Sequence, residues 1–429
     1  MLTRYQGIIK SFFVLALFVG IGKFLGLFKE IFFAKNYGVS IDVDFYFFFL
    51  SLFGWPAAIV LTVFSAIFIP VIANLERGER KLFVAELTGI TFIFSVLLFI
   101  IAFIFGNFFI DLFPYKSQLD DISVSYGSLI FMIPIFLLIS LFSILIMSTG
   151  DKINTLFEAI PALILLIYFI FIPTKDLNAL ICMTIFAFIF QIGSLLLFWK
   201  FKNKAITIKF SFSSAAWSDA IRNFTIILIS TILLSTVTLI DQFFSVNLSA
   251  ESVSILNYAN KLIIVIFALG GLVIQRTFLP DFSIMHRNND LTIKDAFYWF
   301  IAIFLLSVLL IYFLSEFAEV ILGLLFVRGD FSEQNLKSIV PVFQFGLIQI
   351  PFYFSSLVLV QYYLVKKYIY VVALSGIIAF LIKIPLNIVL LENFGLKGIN
   401  LATSAMYFIS FLILTLYIIR AQRVEYASN

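Results

Sequence analysis

FYFFFLSLFGWPAAIVLTVFSAIFIPVIA, from Phe45 to Ala73, runs for twenty-nine residues without one charged side chain. A helix needs roughly 20 apolar residues to cross the hydrocarbon core of a bilayer, and this stretch is longer than that. Similar runs lie on either side of it. They fall near Ile8 to Phe33, Leu87 to Phe105, Ser125 to Met147, Thr155 to Ile172 and Leu177 to Trp199, which makes six with the first. A basic segment, Lys200 to Arg222, separates these from six more, near Ala220 to Val246, Val253 to Pro280, Phe297 to Leu314, Ile339 to Val365, Tyr368 to Leu390 and Leu396 to Arg420. The expected fold is an all-α polytopic membrane protein of about twelve transmembrane helices in two six-helix bundles, residues 1–205 and 206–429.

Composition agrees with this expectation. The 429 residues are 62% hydrophobic and 12% charged, whereas soluble domains are about 25% charged. A net charge of +4 spread along the chain gives no basic patch for nucleic acid, so membrane lipids are the expected surroundings. The lone Cys182 excludes a disulfide framework and reads as a small core residue. Met1 to Arg4 and the apolar run after it resemble a secretory leader, but no A-x-A-like cleavage site follows, so the run reads as a retained first helix.

Basic residues are retained in the cytoplasm. Of the 28, seventeen fall on the N-terminal side of this arrangement and seven on the other, with Lys23, Lys261, Arg276 and Lys383 inside helices. Both termini are therefore expected in the cytoplasm. The halves also resemble each other. Phe32-Phe33-x-x-Asn36 returns as Phe243-Phe244-x-x-Asn247, and the proline expected to end the next helix returns as Pro70 and Pro280. Both halves begin on the same side and contain an even number of helices, so the repeat should be parallel, a plan typical of secondary transporters.

A charge near the middle of a membrane helix costs at least about 2.5 kcal/mol on insertion scales, so it usually faces the bundle interior and has a function. Lys23 sits within Gly20-Ile21-Gly22-Lys23-Phe24-Leu25-Gly26, where small residues permit close helix contact. Lys261 lies about two turns into the eighth helix and Lys383 about four turns into the eleventh. Lys29, Glu30, Asp44 and Asp241 fall near the outer ends of their helices. Lysines and carboxylates at similar depth are the makeup of an anion-binding cavity. The competing reading is snorkelling, in which a long lysine stem lets its ammonium reach the headgroups. Lys23, Lys29, Lys261 and Lys383 are thus the candidates for substrate binding, and Glu30, Asp44 and Asp241 those for ion coupling or gating.

The 57 phenylalanines read as lipid-facing and core packing rather than an aromatic ligand box. His286 is the only histidine, in what reads as a polar loop. No Walker loop, HExxH or nucleophile elbow is present, so no enzyme, metal centre or cofactor is expected. Transport energy would come from the membrane potential, Na+ or H+.

At these positions the chain resembles the MurJ (MviN) lipid flippases of the multidrug/oligosaccharidyl-lipid/polysaccharide (MOP) superfamily. Gly22-Lys23-Phe24-Leu25-Gly26-Leu27-Phe28-Lys29-Glu30 is similar to the family's Ser-Arg-x-Leu-Gly-Phe-x-Arg-Asp, and Tyr37-Gly38 and Asp44-Phe45-Tyr46 to its Phe-Gly and Asp-Ala-Phe. Asn257-Tyr258-Ala259-Asn260-Lys261-Leu262 resembles Tyr-Tyr-Ala-Asp-Arg-Leu. The segments Leu325 to Phe331 and Gly395 to Ser404 resemble two more.

The resemblance implies a flippase of a bacterial cytoplasmic membrane that carries a polyprenyl-diphosphate-linked oligosaccharide, such as lipid II, through a cationic cavity by alternating access. The family's functional arginines map onto Lys23, Lys29 and Lys261, with Lys23 and Lys261 expected to hold the diphosphate. A lysine supplies a point charge without arginine's bidentate fork. The chain departs from the family pattern in the second helix, where Gly54-Trp55-Pro56-Ala57-Ala58 and Thr62 replace an arginine pair and an acidic residue. It also gives twelve spans where the family typically has fourteen. An O-antigen or exopolysaccharide unit is therefore an alternative cargo to lipid II. A drug/cation antiporter of the MATE type would need an acidic cavity, and a membrane glycosyltransferase or ligase a larger outer loop than Asn107 to Asp121.

Overall fold

The computed structural model describes residues 2–118, 127–149, 151, 153–172, 175–202, 207–222, 224–288 and 290–428. Among them the only regular elements are helices, besides one isolated bridge between Arg328 and Phe331. The long helices are α1 (Leu2–Tyr37), α2 (Ile41–Asn74), α3 (Arg77–Ile104), α4 (Gly127–Met147), α5 (Asn154–Phe171) and α6 (Leu177–Phe201). They continue as α7 (Phe224–Val246), α8 (Ser252–Arg287), α9 (Ile293–Glu316), α10 (Glu333–Val365), α11 (Ile369–Phe394) and α12 (Leu396–Ser428). Ten of these are long and apolar enough, among the described residues, to cross a membrane. Adding α1 and α7, which cover the two remaining apolar runs, is consistent with twelve spans.

Local chemistry explains the turns. Gly38, at φ +58°, closes α1 in the left-handed conformation, and its N–H donates to the Ala34 carbonyl at 2.8 Å. Ser40 then caps α2, its hydroxyl accepting from the Val43 N–H. Thr292 and Asp295 form a reciprocal capping box at the start of α9. Pro70 and Pro280, expected to end helices, instead lie inside α2 and α8, which continue to Asn74 and Arg287. A membrane helix tolerates proline where neighbouring helices and local adjustments satisfy the freed backbone group. His286 accordingly lies in the last turn of α8 and not in a loop.

By packing, the chain forms two compact units, Met1–Glu251 and Ser252–Asn429. In the first, α2 packs on α4 and α7, α1 on α5, and α4 on α3 and α6. In the second, α10 packs on α8, α9 and α12, while α11 lies along α12. Hydropathy places α7 at the head of the second half, but its contacts with α2 put it in the first compact unit. Division by repeat and division by packing are different criteria, and they cut the chain at different points.

The two copies of the aromatic-asparagine motif both end a helix but sit in different surroundings. Asn36 is buried and its Nδ2 donates to the Phe169 carbonyl at 2.9 Å, tying α1 to α5. Asn247 is exposed and donates back to its own helix at Phe243. Outward faces are apolar where a soluble protein would place charge, as at Phe103, Phe171, Leu309 and Tyr312. Cys182 belongs to such an exposed face rather than to the core.

The expected topology has a direct test. A reporter fused after Asn429 should read as cytoplasmic, and one inserted between Asn107 and Asp121 as external. Finding both on the same side would contradict the twelve-span arrangement.

Candidate functional site

In the first unit Gly22 marks a close approach of α1 to α5, whereas a Cβ on Gly20 or Gly26 would meet nothing within 4 Å among the described residues. A Cβ on Gly22 would meet the Ala159 Cβ at 3.6 Å, so α1 lies close against α5 there. The next residue, Lys23, is half-buried and within Coulombic reach of Glu158. Glu158 is steadied from its own helix, since the Asn154 Nδ2 donates to its Oε1 at 2.9 Å. Sequence reasoning did not single out Glu158, because a carboxylate four residues after a loop reads as an ordinary helix-end charge.

Two turns further along α1, the Lys29 ammonium lies 2.7 Å from Glu30 Oε1. Glu30 is nearly inaccessible and is an electrostatic neighbour of Tyr46, whose hydroxyl pairs with that of Thr184 at 3.0 Å. Phe33 stacks on both Tyr37 and Tyr46, with centroids 5.2 and 5.7 Å apart. The α1 and α2 segments singled out by their sequence therefore meet. Asp44 is fully buried in the first turn of α2, where the positive end of the helix dipole favours a carboxylate. Asp241 is also buried, beside Gln242 and Ser245 near the end of α7.

In the second unit, Lys261 is half-buried on α8. Its neighbour Asn260 accepts at Oδ1 from the Nδ2 of Asn400 at 3.0 Å, and the same nitrogen donates to the Val342 carbonyl at 2.8 Å. Gly346 makes room for this junction: a Cβ there would lie 2.6 Å from Ile263 and 2.7 Å from the Asn400 nitrogen. Tyr258, fully buried, packs against Phe326 and Phe331 with both centroids 5.6 Å away. The three segments of the second half quoted above thus converge on α8, although they are spread over nearly 150 positions of the sequence.

Lys383 is wholly buried on α11, so its ammonium does not snorkel to the headgroups in this conformation. One turn on, Asn387 is equally buried, and neither atom of its amide has a hydrogen-bond partner among the described residues. An unsatisfied buried amide costs about 1–3 kcal/mol. Its position beside a buried lysine marks this face of α11 as polar inside an otherwise apolar helix.

A further carboxylate, Glu86, lies on α3 directly before its apolar run and is completely buried. It accepts from the Ser211 and Ser213 hydroxyls at 2.7 and 2.6 Å, the Ser213 and Ser214 N–H groups at 2.9 and 3.2 Å, and the Trp217 Nε1 at 2.7 Å. These donors belong to the linker leading into α7, which the carboxylate fastens to α3. The close approach requires Gly89, where a Cβ would fall 2.3 Å from the Lys209 carbonyl oxygen. The one signal in the sequence was a glutamate directly before the apolar run that begins at Leu87, together with a serine cluster in the linker; nothing in it paired the two.

Among the described residues no group of three or more His, Cys, Asp or Glu side chains could hold a metal ion. As chemistry, a half-buried ammonium group inside an apolar helix is one that can exchange a carboxylate neighbour for a more highly charged phosphate.

A family model described as "Lipid II flippase MurJ" matches residues 33–428. Among solved structures, the lipid II flippase MurJ in an inward closed conformation superposes with a TM-score of 0.81 at 18% identity, covering 95% of this chain and 87% of that one. An inward-facing multidrug resistance MATE family transporter of the MOP superfamily gives 0.71 at 11% identity, with 95% and 96% covered. The Vibrio cholerae MATE transporter VcmN gives 0.58 at 12%, with 97% and 98% covered. No curated protein matches by sequence.

Proposed function

Because the chain belongs to the lipid II flippase MurJ family, a family of membrane transporters rather than enzymes, we propose that its lipid-linked cargo is a polyprenyl-diphosphate saccharide, moved across a bacterial cytoplasmic membrane by alternating access. The cargo's headgroup is then offered first to one side of the membrane and afterwards to the other, with no bond made or broken.

The observation that carries this reading is the state of the lysines on α1. Lys29 is ion-paired with Glu30, and Lys23 is within Coulombic reach of Glu158. A diphosphate carries more charge than a carboxylate and can displace it from an ammonium, so the Lys29–Glu30 pair acts as a latch that cargo opens. In the second unit, Lys261 and Lys383 are the cations offered to the same cargo, Lys383 after a rearrangement that uncovers it. Asp44 and Asp241, both buried, are the carboxylates that take the coupling or gating role, with Na+, H+ or the membrane potential as the energy source. Lipid II and a polysaccharide repeat unit share the polyprenyl diphosphate, which is the part these lysines recognise.

Antiport of a cationic drug needs carboxylates open to a cation. Here Glu30 is already paired with Lys29 and Glu158 lies within Coulombic reach of Lys23, which argues against that activity. Native mass spectrometry of the purified protein with a polyprenyl-diphosphate saccharide and with a cationic dye distinguishes the two. The saccharide lipid should be retained and should not be displaced by excess dye. Retention of the dye with no binding of the diphosphate lipid would contradict the proposal.

A further inference from the structure

Within the first unit an apolar groove of about 480 Å³ runs between α2, α3 and α7, and none of the charged residues discussed for cargo lines it. α3 contributes Leu87, Ile90, Phe94 and Leu98, a stripe at helical spacing, and α2 contributes residues from Trp55 to Phe68. At 1.5 Å per residue these stretches are roughly 16 to 20 Å long. That is close to half the roughly 30 Å hydrocarbon core, the depth of one leaflet.

One end of the groove is built by the linker. Phe212 and Trp217 line it there, and both are held in place because Glu86 grips Ser211, Ser213 and the Trp217 Nε1. Exposed basic residues lie toward the same end. The Lys209 N–H donates to the Ala85 carbonyl at 3.0 Å, which sets the exposed Lys209 against α3 one turn from the exposed Lys81. An apolar trough one leaflet deep therefore ends near two exposed lysines.

From this pairing of charge and depth, we infer that the groove binds one acyl chain of an anionic phospholipid, with its phosphate held by Lys81 and Lys209. A polyprenyl tail long enough to carry a transported headgroup outruns a groove whose lining stops at Trp55 and Leu98, so the occupant is a resident lipid and not the cargo. The lipid packs against the fastened linker on one side and against α2 and α3 on the other, and so braces the start of α7.

Tryptophan quenching tests this. Wild-type protein and a Trp217→Phe variant are placed in vesicles of one fixed mixture of anionic and zwitterionic phospholipid, with brominated chains carried by one class or the other. The difference between the two proteins isolates Trp217. Two basic side chains beside a headgroup favour an anionic lipid on the order of tenfold, so quenching of Trp217 should be clearly stronger when the anionic class carries bromine. The Lys81→Glu, Lys209→Glu double variant, altered only at exposed positions, should bring the ratio of the two quenching values to one or below. Equal quenching by the two classes in the wild-type protein, or a preference that survives both charge reversals, overturns the assignment.

Discussion

Replacing Lys23 or Lys261 by glutamine should abolish translocation while leaving membrane insertion intact. A hydrogen bond to a charged group is worth about 1.5–3 kcal/mol, so each lysine lost should weaken diphosphate binding on the order of ten- to a hundredfold. Insertion should not suffer, because removing a charge from a membrane helix lowers the insertion cost. Arginine at either position should retain more activity than glutamine, since it restores the cation. Lys23→Gln should be the more damaging of the two. It leaves Glu158 without its cationic neighbour, facing the cargo as a repelling carboxylate. Adding Glu158→Gln to that variant should therefore recover part of the loss. Complementation of a flippase-deficient strain, with expression measured in parallel, checks all of these. A double Lys23→Gln, Lys261→Gln variant that transports normally would remove both lysines from the cargo path.

The largest expected loss of stability follows from Glu86→Ala. Its carboxylate serves five donors, and Ser214 and Trp217 are buried, so their N–H groups would be stranded away from water. Two stranded buried donors cost roughly 2–6 kcal/mol together, enough to lower the unfolding midpoint in detergent by several degrees. Ser213→Ala should cost far less, because Ser213 is exposed and its lost bond leaves no buried group unpaired. Freed of its anchor, the linker between residues 207 and 215 should become a preferred site for limited proteolysis. Gly89→Val should give the same cleavage pattern by a separate route, because its Cβ would collide with the Lys209 carbonyl, a backbone atom that moves only if the linker lifts. An unchanged midpoint and an unchanged cleavage pattern in Glu86→Ala would show that the carboxylate does not hold the linker.

The spans were legible because lipid imposes length and apolarity on each helix separately, so stretches such as Phe45 to Ala73 declare themselves without reference to the rest of the chain. Lys29 and Glu30 were legible for the same local reason, being adjacent charges at the end of an apolar run. The Lys23–Glu158, Asn260–Asn400 and Glu86–Trp217 relationships were not, because their members lie more than 100 positions apart. Periodicity reports what one helix does and says nothing about which neighbour it meets. The burial of Lys383 belongs to the same class, since a lysine in an apolar helix reads alike whether it snorkels or faces the protein interior. Pro70 and Pro280 misled for a different reason. Their role as helix terminators is learned from water, where a broken backbone hydrogen bond has solvent to turn to, whereas in a bundle the helix is held on both sides of the break. Cys182 was misplaced because in a membrane protein an apolar position is as likely to face lipid as core, and hydrophobicity alone does not separate the two.

The central claim is translocation of a diphosphate-linked lipid without chemical change. Liposomes containing the purified protein, loaded in one leaflet with a polyprenyl-diphosphate saccharide and sampled in the other with a membrane-impermeant reagent against the sugar, measure it directly. The saccharide should become accessible at a rate that rises with protein content, and the recovered lipid should have the mass of the lipid supplied. A cleaved or newly linked product that depends on the protein, or accessibility no greater than in protein-free liposomes, would contradict the account.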